Sequence, residues 1–162
     1  MSRRWTVWLR DIAILILIVA VVQWWQARGM PKGVAPPLAG ASLTNAPMAL
    51  QNHRGKPVLV HFWATWCPIC RLEEGSISSI AEDYVVIAVA TTSGTASEIQ
   101  QYLQENDLQM PVLMDESGDL ARAWDVRGVP ASFIVDSQGN IDYATVGYSS
   151  EIGLRLRLAL AP

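Results

Sequence analysis

The chain has 162 residues, 51% of them hydrophobic, and a formal net charge of −3, a length that allows one domain and a short extra segment. Residues 1–28 hold four arginines against Asp11, which leaves −6 on the remainder; so acidic a domain is a poor match for nucleic acid, which selects basic faces. Two cysteines are too few for a disulfide framework or a four-cysteine zinc site.

The first element in chain order is apolar. Ile12 to Val22 is unbroken hydrophobic sequence, with Trp5 and Trp8 before it and Trp24 and Trp25 after it. Trp5 to Trp25 matches the ~20 residues a helix needs to cross ~30 Å of hydrocarbon, and tryptophans at both ends resemble interfacial belts. Arg3, Arg4 and Arg10 favour a cytoplasmic N-terminus, and Arg10 is close enough to one end to snorkel to the headgroups. The sequence thus predicts a single-pass anchor over residues 1–28 in a bacterial inner membrane, with the rest in the periplasm. A cleaved signal peptide also fits the length of Ile12–Val22, but Trp24, Trp25 and Gln26 stand where small residues of a cleavage site belong. Residues 29–37, with Pro31, Gly33, Pro36 and Pro37, read as a linker or extended arm.

Residues 38–162 form the predicted domain. Leu43 and Leu50 flank two short strands around an Asn45-Ala46-Pro47 turn. Val58–Ala64 is nearly all apolar, as in a strand buried on both faces of a parallel sheet. A helix is predicted from Cys67 to about Asp83, with Pro68 in its first turn, with Ile69, Leu72, Ile77 and Ile80 inward, and with Gly75 weakening it. Strands follow at Tyr84–Ala90, Pro111–Met114, Ala131–Val135 and Ile141–Val146, the last two joined by a hairpin turn over Asp136–Asn140. Helices are predicted at Thr95–Asn106, with Ile99, Tyr102 and Leu103 inward, and at Leu120–Trp124. Ser149–Leu160 has both alternating leucines and a helical stripe of Ile152, Leu156, Ala159 and Leu160; helix-forming composition and the capping serines favour a helix. The expected architecture is an α/β sandwich with a mainly parallel sheet, an antiparallel C-terminal hairpin and helices on both faces.

Chemistry concentrates at Cys67-Pro68-Ile69-Cys70, where the apolar strand meets the helix. A helix N-terminus favours an anion, which lowers the Cys67 pKa below ~8.5 and makes its thiolate a nucleophile. Cys70, one turn on, is placed to close a disulfide. Cys67 can attack a partner disulfide, and Cys70 can then resolve the mixed disulfide, or the steps can run in reverse. A metal would need further ligands, and His53, His61, Met110 and Met114 stand at no recognisable ligand spacing. The chemistry calls for no cofactor.

The string Phe62-Trp63-Ala64-x-Trp66-Cys67-x-x-Cys70, extended through Arg71-x-Glu73, resembles the thioredoxin active site, and in particular the membrane-tethered branch that includes ResA, TlpA and DsbE-like cytochrome c maturation thioredoxins. Within that branch it is similar to the suppressor-of-copper-sensitivity group typified by ScsD. The resemblance covers about residues 36–160. It implies a thioredoxin-like fold, an exposed nucleophile at Cys67, a resolving thiol at Cys70, and a partner-binding surface of Trp66, Pro68, Val129 and Pro130. It also implies a cis peptide at Val129-Pro130. Glu73 matches an acidic residue near the site; it either takes up the proton of Cys70 or is a solvated helix carboxylate. His61 stands where thioredoxins bury an acid; it either relays a proton to Cys70 or is a hydrogen-bonded core histidine. Gly75, where the branch usually has Pro, and Ala131, where Thr is frequent, depart from the pattern.

Ile69 offers a thiolate no charge or hydrogen bond, which argues against a strong oxidant. The expected function is therefore reduction of protein disulfides outside the cytoplasm, with electrons from a membrane thiol transporter similar to DsbD or ScsB, by a protein with no evident dimerisation segment and so a monomer. A disulfide oxidase, a cytochrome c maturation thioredoxin and a copper-binding chaperone are the alternatives. A peroxidase is disfavoured because Val60 and Ala64 occupy the Pro and Thr/Ser positions of the P-x-x-x-[ST]-x-x-C pattern.

Overall fold

The computed structural model describes residues 8–14, 17, 18, 21, 31–43 and 46–162. Residues 8–14 are helical, and no helix among the described residues is long and apolar enough to cross a membrane. The anchor predicted over residues 1–28 falls largely outside the described residues.

Eight strands and four helices follow: β1 (Gly33–Val34), β2 (Ala39–Ala41), β3 (Pro47–Ala49), β4 (Val58–Trp63), α1 (Glu74–Asp83), β5 (Val85–Thr91), α2 (Ala96–Glu105), β6 (Val112–Asp115), α3 (Asp119–Ala123), β7 (Ala131–Val135), β8 (Asn140–Val146) and α4 (Glu151–Leu160). The main sheet has the order β1-β8-β7-β4-β5-β6, and β2 and β3 form a separate antiparallel pair. β4, β5 and β6 are parallel, whereas β7, β8 and β1 join by antiparallel pairing. The sheet is thus mixed rather than mainly parallel. The cause is the segment after α3, which brings the chain back to the end of the sheet where β4 finishes, so that β7 starts beside Phe62 and runs down against β4. Gly33 and Val34, in the stretch read as a linker, pair with Ile141 and Asn140 and add an edge strand.

β4 is wholly buried, and its alternation divides the core. Val58, Val60 and Phe62 face one layer, where Phe62, Phe133 and Trp124 meet with ring centroids 5.0–5.8 Å apart. Leu59 and Trp63 face the other, packed with Ile77 and Ile80 of α1, Ile99 and Leu103 of α2, and Leu154 and Leu158 of α4. Local sequence sets the helix starts. Thr95 and Glu98 form a capping box at α2, and Ser150 caps α4 by accepting from the Gly153 amide. Buried Asp115 accepts from the Leu120 and Ala121 amides at the start of α3.

Two predicted faces differ from the structure. α4 is helical, but its buried residues are Leu154 and Leu158; Ile152, Leu156, Ala159 and Leu160 lie outward. Both leucine sets have helical spacing, and only the contact with α1, through Arg155 to Asp83 and Glu151 to Ser79, selects between them. Near the cysteines, Ile77 and Ile80 are buried, but Ile69 and Leu72 are exposed. The chain is not helical from Cys67: it forms a 3₁₀ turn over Cys70–Leu72 and breaks at Glu73 (φ −123°, ψ −7°) before α1 begins. The inward residues become Cys70, Glu73, Ile77 and Ile80. The break lies two residues before Gly75, which sits within α1 with open space around its Cα.

The register of α4 has a measurable consequence. Leu158→Ala should lower the unfolding free energy by about 2–5 kcal/mol, as for other buried leucines, whereas Leu156→Ala should change it by less than about 0.5 kcal/mol. Urea denaturation of the two variants checks this; equal costs would place Leu156 in the core.

Candidate functional site: a disulfide above a buried Ser–His–Glu cluster

Cys67 and Cys70 form a disulfide with their Cα atoms 5.3 Å apart. The turn that holds it starts at the end of β4, where the Cys67 amide donates to the Ala64 carbonyl and the Arg71 amide to the Cys67 carbonyl. The Cys70 N–H points at Cys67 Sγ, 3.1 Å away. It is the donor that a Cys67 thiolate would keep after reduction. The resemblance implied an exposed nucleophile at Cys67, but the residue is 3% exposed and Cys70 1%. Cys67 is covered because the Val129 carbonyl oxygen approaches Sγ to 3.6 Å. The Val129–Pro130 peptide is cis, and the Gly147 amide donates to the Pro130 carbonyl. Around the disulfide, Trp66, Pro68, Ile69, Leu72 and Tyr148 are exposed. The Trp66 indole is pinned by its Nε1–H, which donates to the Thr92 carbonyl at 3.1 Å.

A buried polar cluster links β4, β7 and the turn after the cysteines. His61 and Ser132 are direct cross-strand partners in β4 and β7, and the side chains of both are buried. His61 Nδ1 and Ser132 Oγ are 2.9 Å apart. On its other side, His61 Nε2 is 3.8 Å from Glu73 Oε1. Glu73 is not a solvated carboxylate, since its exposure is 0%. Glu73 shares the inward face with Cys70, Ile77 and Ile80, and its amide donates to the Cys70 carbonyl. Glu73 Oε2 accepts from the Ser149 amide at 2.7 Å, and Oε1 has no hydrogen-bond partner.

Burial sets the protonation of both groups. It pushes the Glu73 carboxyl up to about 7, against a smaller opposing effect of the Ser149 amide. It lowers the His61 imidazole to about 3. Near neutral pH His61 is therefore uncharged, and Glu73 is poised between acid and base.

Of the residues singled out from sequence, Cys67, Cys70, His61 and Glu73 are all buried; His61 Nε2 faces Glu73 Oε1, and Val129 lies against Cys67. Trp66 and Pro68 lie on its exposed rim. Sequence reasoning missed Ser132 and the Ser149 amide. Ser132 carried a signal: it is the one hydroxyl in the buried strand Ala131–Val135, at the parity that faces α1. The Ser149 contact, 76 positions from Glu73, carried none.

The AhpC/TSA family model matches residues 31–144. The chain belongs to the AhpC/TSA family. Among its relatives are a thioredoxin-like protein of Haemophilus influenzae, 37% identical over 67% of this chain and 65% of that one, and the thiol:disulfide interchange protein DsbE of Pseudomonas aeruginosa, 35% identical over 65% and 59%. The chain spans less than two thirds of the length of these two relatives. Among solved structures, a secreted Mycobacterium tuberculosis disulfide oxidoreductase homologous to DsbE of E. coli superposes with a TM-score of 0.65 at 26% identity, over 75% of this chain and 94% of that one. This AhpC/TSA-family protein is thus a thioredoxin-like thiol-disulfide oxidoreductase with a redox-active Cys67–Cys70 pair.

The buried pair also predicts a pH signature in stability. Between pH 4.5 and 6.5 the unfolded chain carries an ionised Glu73 and a charged His61, whereas the folded chain keeps both neutral, so both states bind the same number of protons. The two slopes, each about 1.4 kcal/mol per pH unit, cancel. Glu73→Gln leaves the depressed His61 alone, so stability should rise with pH up to about 6.5 and be lost as pH falls toward 3. His61→Asn leaves the raised Glu73, so stability should be full below 4.5 and fall as pH rises to about 7. Denaturant midpoints at the two ends of the window read the slopes, and slopes of the same sign in both variants would contradict the neutral pair.

Proposed function

We propose that this AhpC/TSA-family protein is a membrane-anchored disulfide reductase working outside the cytoplasm, with residues 1–28 as anchor, 29–37 as linker and 38–162 as the redox domain. Its electrons come from a membrane thiol transporter of the DsbD or ScsB kind, and its partners are proteins bearing disulfides. Reduced Cys67 attacks the partner disulfide and expels one partner thiolate. Glu73 takes the proton of Cys70, and the Cys70 thiolate then attacks Cys67 Sγ, expelling the second partner thiolate and oxidising the pair. Two electrons pass to the partner. His61 faces Glu73 and assists that proton transfer, and Trp66, Pro68, Val129 and Pro130 receive the partner chain.

The observation that carries the direction is the environment of Cys67. Among the described residues, the polar contacts of its sulfur are one amide N–H at 3.1 Å and one carbonyl oxygen at 3.6 Å. A strong oxidant needs its reduced form stabilised. Here the carbonyl opposes a thiolate and Pro68-Ile69 supplies no donor side chain, so the disulfide is favoured and the dithiol is reducing.

The tether is supported by the arginines and tryptophans of residues 3–25 and by the position of β1. β1 pairs with β8 at Asn140 and Ile141, whereas Val146 at the other end of β8 pairs with Ala131, next to Pro130. The arm thus enters at the end of the sheet remote from the disulfide. From Trp25 to Gly33 is eight residues, a reach of at most about 28 Å. A domain held this way presents its disulfide away from the bilayer.

The midpoint potential should lie nearer the ~−270 mV of thioredoxin than the ~−120 mV of the oxidase DsbA. A redox titration in glutathione and dithiothreitol buffers measures it, and a value near the oxidase would reverse the direction. In cells, a full-length Cys70→Ser variant should stay in the membrane after alkaline carbonate washing and accumulate reducible mixed disulfides with donor and substrate. A soluble variant would remove the anchor from the proposal.

A further inference from the structure

The hydroxyl of Ser132 sits where the proton chemistry of the site can be set without touching a thiol. It is a direct cross-strand neighbour of His61, 1% exposed, and Nδ1 is its hydrogen-bond partner at 2.9 Å. A hydroxyl has one donor and two acceptor sites. A buried hydroxyl with a single partner uses its donor there, because an unpaired donor costs more than a spare lone pair. Nδ1 is then the acceptor, and the one proton of the neutral imidazole lies on Nε2. Nε2 lies 3.8 Å from Glu73 Oε1, which has no hydrogen-bond partner of its own.

We propose that Ser132 is a positioning residue for disulfide exchange: by donating to His61 Nδ1 it fixes the Nε2–H tautomer, turns that N–H toward Glu73 and so keeps the carboxylate available as the base for Cys70. The proposal rests on the reading of Glu73 as that base. No proton is gained or lost by His61 or Ser132; the only proton that moves is the one passing from Cys70 to Glu73.

The other groups around Glu73 leave this task to His61. From the 3₁₀ turn come Cys70, which titrates when reduced, and Arg71, which is exposed and donates to the Thr65 carbonyl. On α1, Glu74 accepts from the Tyr102 hydroxyl of α2. From the β8–α4 connection come the Ser149 amide, already on Oε2, and the exposed Tyr148. On α4, Glu151 is paired with Arg155. On β5, the neighbour of His61 is Ala88, which has no polar side chain.

The test uses the full-length reduced protein, with oxidised glutathione as the disulfide and tryptophan fluorescence as the signal, in single turnover from pH 5 to 9. Ser132→Ala should move the midpoint of the acid limb up by about one pH unit, a tenfold loss of ionised Glu73 at fixed pH on the acid side, as Oε1 loses the facing N–H. Ser132→Thr, which keeps a hydroxyl, should restore the wild-type midpoint. Glu73→Gln should abolish the limb. An unmoved midpoint in Ser132→Ala, with Glu73→Gln abolishing the limb, overturns the role of Ser132 alone. An intact limb in Glu73→Gln overturns the base assignment, and the Ser132 proposal with it. Long-range proton–nitrogen spectra of wild-type His61 need no variant: Nε2–H is expected, and Nδ1–H overturns the proposal.

Discussion

Antiparallel pairing of β7 against β4 puts Ala131 beside Phe62 and Ser132 beside His61, and the geometry of the site depends on that register. The same pairing delivers Val129 to the disulfide just before β7, and the Ser132 hydroxyl to the imidazole three residues later. Side chains alternate along a strand, so a slip of one position would turn Phe133 toward α1 and Ser132 into the aromatic layer. Phe62, Phe133 and Trp124, all at 0% exposure, hold the register from the opposite face. The apolar layer thus fixes a polar contact on the other side of the sheet.

That polar contact is costly by itself. Burying an ionised carboxylate or imidazolium costs several kcal/mol each, and an unpartnered buried oxygen such as Glu73 Oε1 about 1–3 kcal/mol. The fold limits the cost by keeping His61 neutral, and Glu73 protonated below about pH 7. The layer on this face of β4 also buries Trp63, Ile77, Ile80, Leu154 and Leu158, each favourable at roughly 1.5–3 kcal/mol per large side chain. The site is therefore an island of polar atoms that survives because the helices α1 and α4 close over it.

Much of this was legible in the sequence for physical reasons. β4 announces itself as a buried strand because six consecutive positions are apolar or aromatic apart from His61, and the hairpin at Asp136–Asn140 because its turn chemistry is local. The capping box at Thr95 needs only residues three apart. What failed to read were choices made by tertiary contact. Two leucine stripes on α4 had equal claim to the core, and the contact with α1 decided. The exposure of Ile69 and Leu72 follows from the 3₁₀ turn after Cys70, which no local pattern marked, whereas Glu73 stands at helical spacing from Ile77 and Ile80. The mixed sheet follows from where the chain re-enters after α3, a property no local pattern encodes.

The break at Glu73 connects these levels. A regular helix from Pro68 with Ile77 and Ile80 inward would have turned Ile69 and Leu72 inward as well, and Glu73 with them, since Ile69, Glu73, Ile77 and Ile80 share one helical face. The 3₁₀ turn releases only the first two: Ile69 and Leu72 are exposed, and Glu73 stays buried with Cys70. On the proposed reading both placements serve one reaction. The exposed Ile69 and Leu72, with Trp66 and Tyr148, give an incoming protein an apolar surface around a nearly inaccessible sulfur. The inward Glu73 gives Cys70 a base shielded from bulk water. Straightening the segment into a helix would bury Ile69 and Leu72 and so lose the partner surface. On that reading the departure from helical geometry serves partner binding, and it shows as i→i−3 bonds at Leu72 and Glu73.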